Sequence, residues 1–257
     1  MNIILFDDST IRQNLLPFTF TRPVAEIRVG ILTIAEKWRE FMGEAVSYLT
    51  QPYLQDKFSL YFDTRNVYIN GAICPDEEIV AAIRDLKIGE ALYHQGMLLA
   101  INGDNLELHD LEELVNYAST KMVECDSCTI IRDVWEIFQI NGQQIRSDFA
   151  LITQGRQSQP VGDRHSIVYN EENIFIEEGV KIRAAILNAE NGPIYLGKNA
   201  QVHEGAVIRG PFALGEESHV NVGGKMRGDV TIGPFCKVGG EVAASVIFGY
   251  TNKGHEG

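Results

Sequence analysis

The spacing of apolar residues changes character along the chain, and that change predicts two kinds of architecture. Over the first part, short β-branched runs alternate with stretches of helical spacing, the rhythm of an α/β layered domain. Residues 2–6 read as a buried first strand, 45–49 as a second and 66–69 as a third. Ile31, Ile34, Ala35, Trp38, Phe41 and Met42 recur at helical spacing, with Gly43 as the stop. Pro75 and Asp76 open another helix, whose apolar stripe is Ile79, Val80, Ile83 and Leu86, and Tyr93 to Ile101 around Gln95 and Gly96 predicts a hairpin. Asp133 and Glu136 have capping-box spacing, and Val134, Phe138, Ile145, Phe149 and Ile152 then read as one long helix face. Later the period becomes six: Leu196, Val202, Ile208, Leu214, Val220, Met226, Ile232 and Val238 are all large and apolar. With 45% of the chain apolar, chance produces such a run at about 0.002 per frame, so the repeat is real. Glycine follows the anchor at Gly197, Gly215, Gly233 and Gly239, which suggests corners whose φ values side chains forbid. The residues four places after each anchor are mostly small, as at Ala200, Ala206 and Ser218. Ile176 and Ile182 start the pattern early, and a two-residue slip near Asn191, Gly192 and Pro193 predicts a bulging loop.

The six-residue period resembles the hexapeptide repeat of left-handed parallel β-helices, in which about three hexads make one triangular coil. The other reading of the spacing is a coiled or sandwiched β-domain. Gly155 to Asp163, rich in glycine, proline and polar residues, reads as the linker. The expected fold class is therefore α/β: a Rossmann-like domain over residues 1–160, then a left-handed parallel β-helix over 161–257. After Tyr250 the sequence TNKGHEG offers no segment to cap an open coil, so the expectation is a chain truncated at its C-terminal end, with a covering oligomer partner as the other option.

A net charge of −13 argues against a long nucleic acid as partner, although a local pocket can still hold one nucleotide. The first residues lack the features of a signal peptide, and no apolar run approaches the roughly 18 residues of a membrane span, so a cytoplasmic protein without a membrane partner is expected. Four cysteines do not make a disulfide framework at this length. The one C-x-x-C, Cys125 to Cys128, has no second ligand pair spaced for zinc.

Candidate chemistry concentrates between the first strand and the first long helix, in DDSTIRQNLLPFTFTRPVAEIRVG, Asp7 to Gly30. Ligands of open α/β sheets bind at the carboxyl ends of strands, and arginine presents a planar fork to phosphate. Arg12, Arg22 and Arg28 suit an anionic ligand there, while Asp7, Asp8 and Glu26 cancel their charge unless the carboxylates hold Mg²⁺. Simple surface ion pairs are the plainer explanation.

Thr10, Arg12, Leu15, Pro17, Thr19 and Pro23 form a run that resembles the opening signature of sugar-1-phosphate nucleotidyltransferases. Coupled to a hexapeptide β-helix, the chain is similar to two-domain N-acetylglucosamine-1-phosphate uridyltransferases and glucose-1-phosphate nucleotidyltransferases. TRPVAEIRVGILTIAEKW, NGPIYLGKNA and NKGHEG extend the resemblance over nearly the whole chain. It implies transfer of N-acetylglucosamine 1-phosphate or glucose 1-phosphate onto UTP or dTTP with release of pyrophosphate. Beside it, the residue reading puts Mg²⁺ on Asp7 and Asp8 and phosphate contacts on Asp8, Thr10 and Arg12, and the catalytic positive charge is expected from Arg22 and Arg28 in place of a family lysine.

The sequence departs from the family at several points. The first loop has no glycine from Asp7 to Ile11, the family lysine corresponds to Val24, and Asp104 and Asp148 are poor matches to the metal-ligand aspartate. Asp104 reads better as a hairpin-turn residue. Acetyltransferase members use a histidine base with acetyl-CoA, and His255 matches that histidine, although Ala243 stands where a substrate-binding lysine would be. The resemblance thus extends to a longer parent that acetylates glucosamine 1-phosphate, and to a homotrimer packed through the β-helix. The competing reading is a hexapeptide acyltransferase or oligomeric scaffold with a degenerate front domain.

Overall fold

A computed structural model describes residues 2–103, 106–118 and 122–256. The chain forms two compact units, Met1–Ile27 with Thr33–Glu136, and Arg28–Leu32 with Ile137–Gly257.

In the first unit the chain runs β1 (Asn2–Phe6), α1 (Ser9–Asn14), α2 (Ile34–Met42), β2 (Val46–Leu49), β3 (Asn66–Asn70), β4 (Ile73–Cys74), α3 (Glu77–Asp85), β5 (Ala91–His94), β6 (Met97–Asn102), α4 (Leu111–Ala118), β7 (Met122–Glu124) and β8 (Thr129–Ile130). Six strands form a sheet in the order β2-β1-β3-β6-β5-β7, and β4 pairs separately with β8. β1 is parallel to both β2 and β3, whereas β6 runs antiparallel to β3 and β5. Ile4, Phe6, Tyr68 and Ile101 pack with Leu114 and Ala118 of α4, while Ile3 and Leu5, alternating along the same strand, are buried too. A central strand covered on both faces reads as a continuous apolar run, which is what residues 2–6 show.

Local signals fix the boundaries. Thr33 and Glu36 form a reciprocal capping box, and Gly43 ends α2 at φ 69°. The Asp76 carboxylate accepts the Ile79 N–H at 2.9 Å to start α3, whose Ile79, Val80 and Ile83 are buried. Gln95 and Gly96, at φ 50° and 79°, turn the β5–β6 hairpin. The single helix expected over Val134 to Ile152 is two, α5 (Val134–Gln139) and α6 (Asn141–Thr153). The restart has a packing reason: a Cβ on Gly142 would lie 1.8 Å from Asp229 Oδ1, and the Asn141 amide donates to the Asp229 carbonyl at 2.9 Å.

The second unit is a parallel β-solenoid with three five-stranded sheets. Leu196 stacks on Ile176 and then, eighteen residues on at each step, on Leu214 and Ile232. All eight anchors of the six-residue period are buried in one core. The predicted slip is an early coil lengthened by two residues, since Ile174 pairs with Ile194. The last coil is instead shortened to fifteen, Ile232 pairing with Ile247.

The glycines after the anchors have a different cause from the one expected. None of Gly197, Gly215, Gly233 and Gly239 has positive φ. A Cβ on Gly215 would fall 2.6 Å from the Gly233 carbonyl carbon, and one on Gly239 2.5 Å from the Gly254 oxygen, so close stacking of successive coils excludes side chains. Positive φ falls on Asn199, Glu217, Phe235 and Tyr250, at 54° to 61°, a column of corners.

One solenoid sheet is covered from within this unit. Ala213 packs with Ile31 and Ile145, joined by Phe149, Ile152 and Tyr195. Asp148 Oδ2 accepts the N–H groups of Ile31 and Leu32 at 2.8 and 3.1 Å, Asn141 Oδ1 accepts that of Gly30 at 2.8 Å, and Thr231 donates to the Gly30 carbonyl at 2.9 Å.

Candidate functional site

The carboxyl end of β1 delivers Asp7 and Asp8 into the long loop. Asp7 is buried, and its N–H donates to the Leu49 carbonyl at 3.0 Å, fixing it beside the end of β2. Its Oδ1 accepts the Val24 N–H at 2.8 Å, and its Oδ2 accepts Thr50 Oγ1 at 2.6 Å and Arg12 Nη1 at 2.8 Å. Burial pushes the Asp7 carboxyl above the ordinary aspartate value, while Thr50, Val24 and Arg12 pull it back.

Arg12, on α1, is buried as well. Nη1 also donates to the Arg22 carbonyl at 3.4 Å, and Nη2 donates to the Thr19 carbonyl and, at 2.8 Å, to the Tyr53 hydroxyl. Thr19 returns the bond, its hydroxyl donating to the Arg12 carbonyl at 2.7 Å. One guanidinium therefore gathers three separate parts of the loop and the turn after β2. Nearby, the Tyr48 hydroxyl donates to Glu26 and accepts from Arg39 at 3.1 Å; burial and Glu26 raise its pKa.

This geometry reassigns several sequence candidates. Arg12, expected on phosphate, spends its fork inside the loop. Asp8 Oδ1 accepts the N–H groups of Thr10 and Ile11 at 2.9 and 3.0 Å, so Asp8 is the N-cap of α1 and the exposed Thr10 is part of that cap. Asp7 and Asp8 do not fit a Mg²⁺ site: both Asp7 oxygens are engaged, and among the described residues no group of three or more His, Cys, Asp or Glu can hold a metal. Val24, standing where a lysine was sought, is buried and serves Asp7 through its backbone. Asp148 belongs to the Ile31–Leu32 clasp, and Asp104 lies outside the described residues.

Arg22 is half-buried in the first unit, its carbonyl held by Arg12. Arg28 belongs to the second unit and donates to the Ile31 carbonyl. His255 is exposed, with Nδ1 2.7 Å from the Glu256 carbonyl. Cys125 and Cys128 are free thiols, and burial with the neighbouring Cys125 pushes the Cys128 thiol up to about 11. Thr50 and Tyr53 escaped the sequence reading, and Thr19 entered it only as a member of the signature run. The available signal was position, a Thr-Gln-Pro-Tyr turn directly after a strand at the ligand-binding end of the sheet.

A buried ion pair roots this long loop at the carboxyl ends of parallel strands, the end at which open α/β sheets bind ligands. Residues 3–157 match the sugar nucleotidyl transferase family model, more than half of the sequence, and the chain belongs to that family. Comparison with curated proteins gives no match. The chain is thus a sugar nucleotidyl transferase domain followed by a parallel β-solenoid.

Proposed function

We propose that the protein joins a sugar 1-phosphate, N-acetylglucosamine 1-phosphate or glucose 1-phosphate, to UTP or dTTP supplied as the magnesium complex. An oxygen of the sugar phosphate attacks the α-phosphorus, the bond to the β-phosphate breaks, and pyrophosphate leaves. Such catalysis is positioning plus neutralisation of charge at the five-coordinate phosphorus. The observation that carries this reading is the family match over residues 3–157, whose first loop is braced by the Asp7–Arg12 pair. That pair holds the Arg22 backbone, so Arg22 is the cation assigned to the phosphates, with Arg12 as its positioning residue.

The test is pyrophosphate release from UTP and dTTP with each sugar phosphate, for the wild type and for Arg22→Ala. Turnover that falls by about a hundredfold in the variant supports the assignment. Turnover that does not depend on Arg22 removes it. Nucleoside triphosphates of this kind belong to the cytoplasm, where the reading places the protein's work.

A second reading, in which the solenoid also handles an anionic substrate and His255 serves acyl transfer in a longer parent, draws on one observation. A groove of about 470 Å³ on one solenoid face is lined by Arg209, Lys225, Arg227 and Glu241. Arg227 pairs with Glu241 at 2.6 Å and Lys225 with Glu256 at 3.2 Å. Acetylation of glucosamine 1-phosphate from acetyl-CoA, measured with and without Arg227→Ala, tests it. Solenoid assembly as a homotrimer is part of the same proposal, and sedimentation at a monomer mass would count against it.

A further inference from the structure

We infer that Cys125 and Cys128 form a dithiol that oxidises reversibly to an intramolecular disulfide by exchange with a low-molecular-weight disulfide. The transfer reading above makes no use of this pair. Cys74 and Cys236 are buried at 1% and 0% exposure, whereas Cys125 and Cys128 are half-buried, within reach of a small oxidant yet held by the fold.

Three peptide bonds separate the pair, and both ends of that connection are anchored. The Cys125 N–H donates to the Tyr93 carbonyl at 2.7 Å, and the Cys125 carbonyl lies 2.7 Å from His94 Nδ1, which fixes this residue at the exit of β7. Cys128 leads into β8, where Thr129 faces Cys74. Between them Cys125 Sγ folds forward onto the Ser127 carbonyl at 3.2 Å, against the peptide group that enters Cys128. The two thiols also feel each other's charge. Burial first, then Cys125, push the Cys128 thiol up to about 11; Arg132 opposes the rise and Asp76 adds to it. A thiolate is costly in such a place, and a disulfide carries no charge.

Arg132 is the cation that exchange needs. Its Nε is buried and, among the described residues, has no hydrogen-bond partner, while its charge already pulls the Cys128 thiol down. A transient thiolate gives that guanidinium an acceptor. One thiolate of the pair attacks the small disulfide, whose S–S bond breaks and releases one small thiolate; the other cysteine then attacks the mixed disulfide and releases the second. The protein loses two electrons and two protons, and both leave with the two small thiols. The ring so closed acts on an exposed edge. β7 is exposed throughout, lies at the end of the six-stranded sheet and pairs with β5 alone, so tying its exit to the start of β8 clamps that edge.

The test equilibrates the full chain in mixtures of glutathione and glutathione disulfide, alkylates the free thiols after unfolding and maps them by mass spectrometry. Cys125 and Cys128 are expected to lose alkylation together, in a species lighter by two hydrogen atoms, while Cys74 and Cys236 remain alkylated. Cys125→Ser is expected to leave Cys128 either alkylated or carrying one glutathione, and Arg132→Gln to slow closure of the disulfide by about three- to tenfold. Amides of β7 should exchange with solvent more slowly in the oxidised protein. Circular dichroism checks that each variant folds. Thiols that stay alkylatable in glutathione disulfide alone, or a wild type that stops at separate glutathione adducts on the two cysteines, overturn the inference. A closure rate unchanged in Arg132→Gln overturns the part given to Arg132, and β7 exchange indifferent to oxidation overturns the clamp.

Discussion

At the scale of single residues, the decisive feature is the Asp7–Arg12 pair, because both partners are buried and each has further hydrogen bonds to satisfy. Removing one partner of a buried pair strands the other charge in a poorly solvating interior. Arg12→Ala is therefore expected to cost about 3–5 kcal/mol, read as a fall in the denaturant midpoint. Arg12→Lys should recover only part of that loss, since one ammonium cannot span Asp7, Thr19 and Tyr53 as a planar fork does. The sequence showed arginines and aspartates together in one loop and left two explanations open, phosphate binding or ion pairing. It could not decide between them because the deciding partners, Thr50 and Tyr53, are 43 and 41 residues away from the groups they meet. The cap at Asp76 was more legible, since it is settled within three residues.

At the scale of elements, the six-residue period marked the solenoid interior without error, as all eight anchors face its core. Side-chain periodicity records which way residues point, and that is a property of one chain segment. It does not record how near the next coil lies, which is why glycines read as φ-driven corners proved to be contact points between coils. Gly215→Ala is accordingly expected to destabilise the solenoid by about 1–3 kcal/mol, measured by thermal or chemical unfolding, because the new methyl meets backbone that cannot give way.

A second element-scale prediction concerns acid. His219 stacks edge-on to His203 at 5.6 Å, and its pKa is lowered from 6.5 by burial, by His203 and by Lys237, against the opposing pull of Glu217. The unfolded chain then binds the proton more readily than the folded one, so this site favours the fold above pH 6.5 and loses that advantage as pH falls below it. The melting temperature should drop between neutral pH and pH 5.5, and the drop should be smaller in His219→Gln.

At the scale of the whole molecule, the charge of −13 sets a condition on function. A triphosphate approaching this protein meets long-range repulsion, since the arginine at the root of the loop is already neutralised by Asp7. Raising ionic strength toward 0.15 M, where the Debye length is about 8 Å, should lower the KM for the nucleotide, which steady-state kinetics across a salt series would measure. A KM that climbs with salt would instead point to a strong local positive field. The order of the two architectures was readable because strand–helix alternation and a six-residue period are such different patterns. The exchange of a short loop segment between units was not, since it leaves no periodic trace.

That exchanged segment, Arg28–Leu32, bears on how the gene can be cut. A fragment encoded from Ile137 onward would lack the five residues whose backbone Asn141, Asp148 and Thr231 clasp, and would leave Ala213 and Ile145 without Ile31. On the ribosome the clasp must wait, because its first strand of contacts emerges more than a hundred residues before the helix that receives it. Excising the solenoid as an independent product therefore calls for a graft of this pentapeptide, or a polar repair of the face it covers.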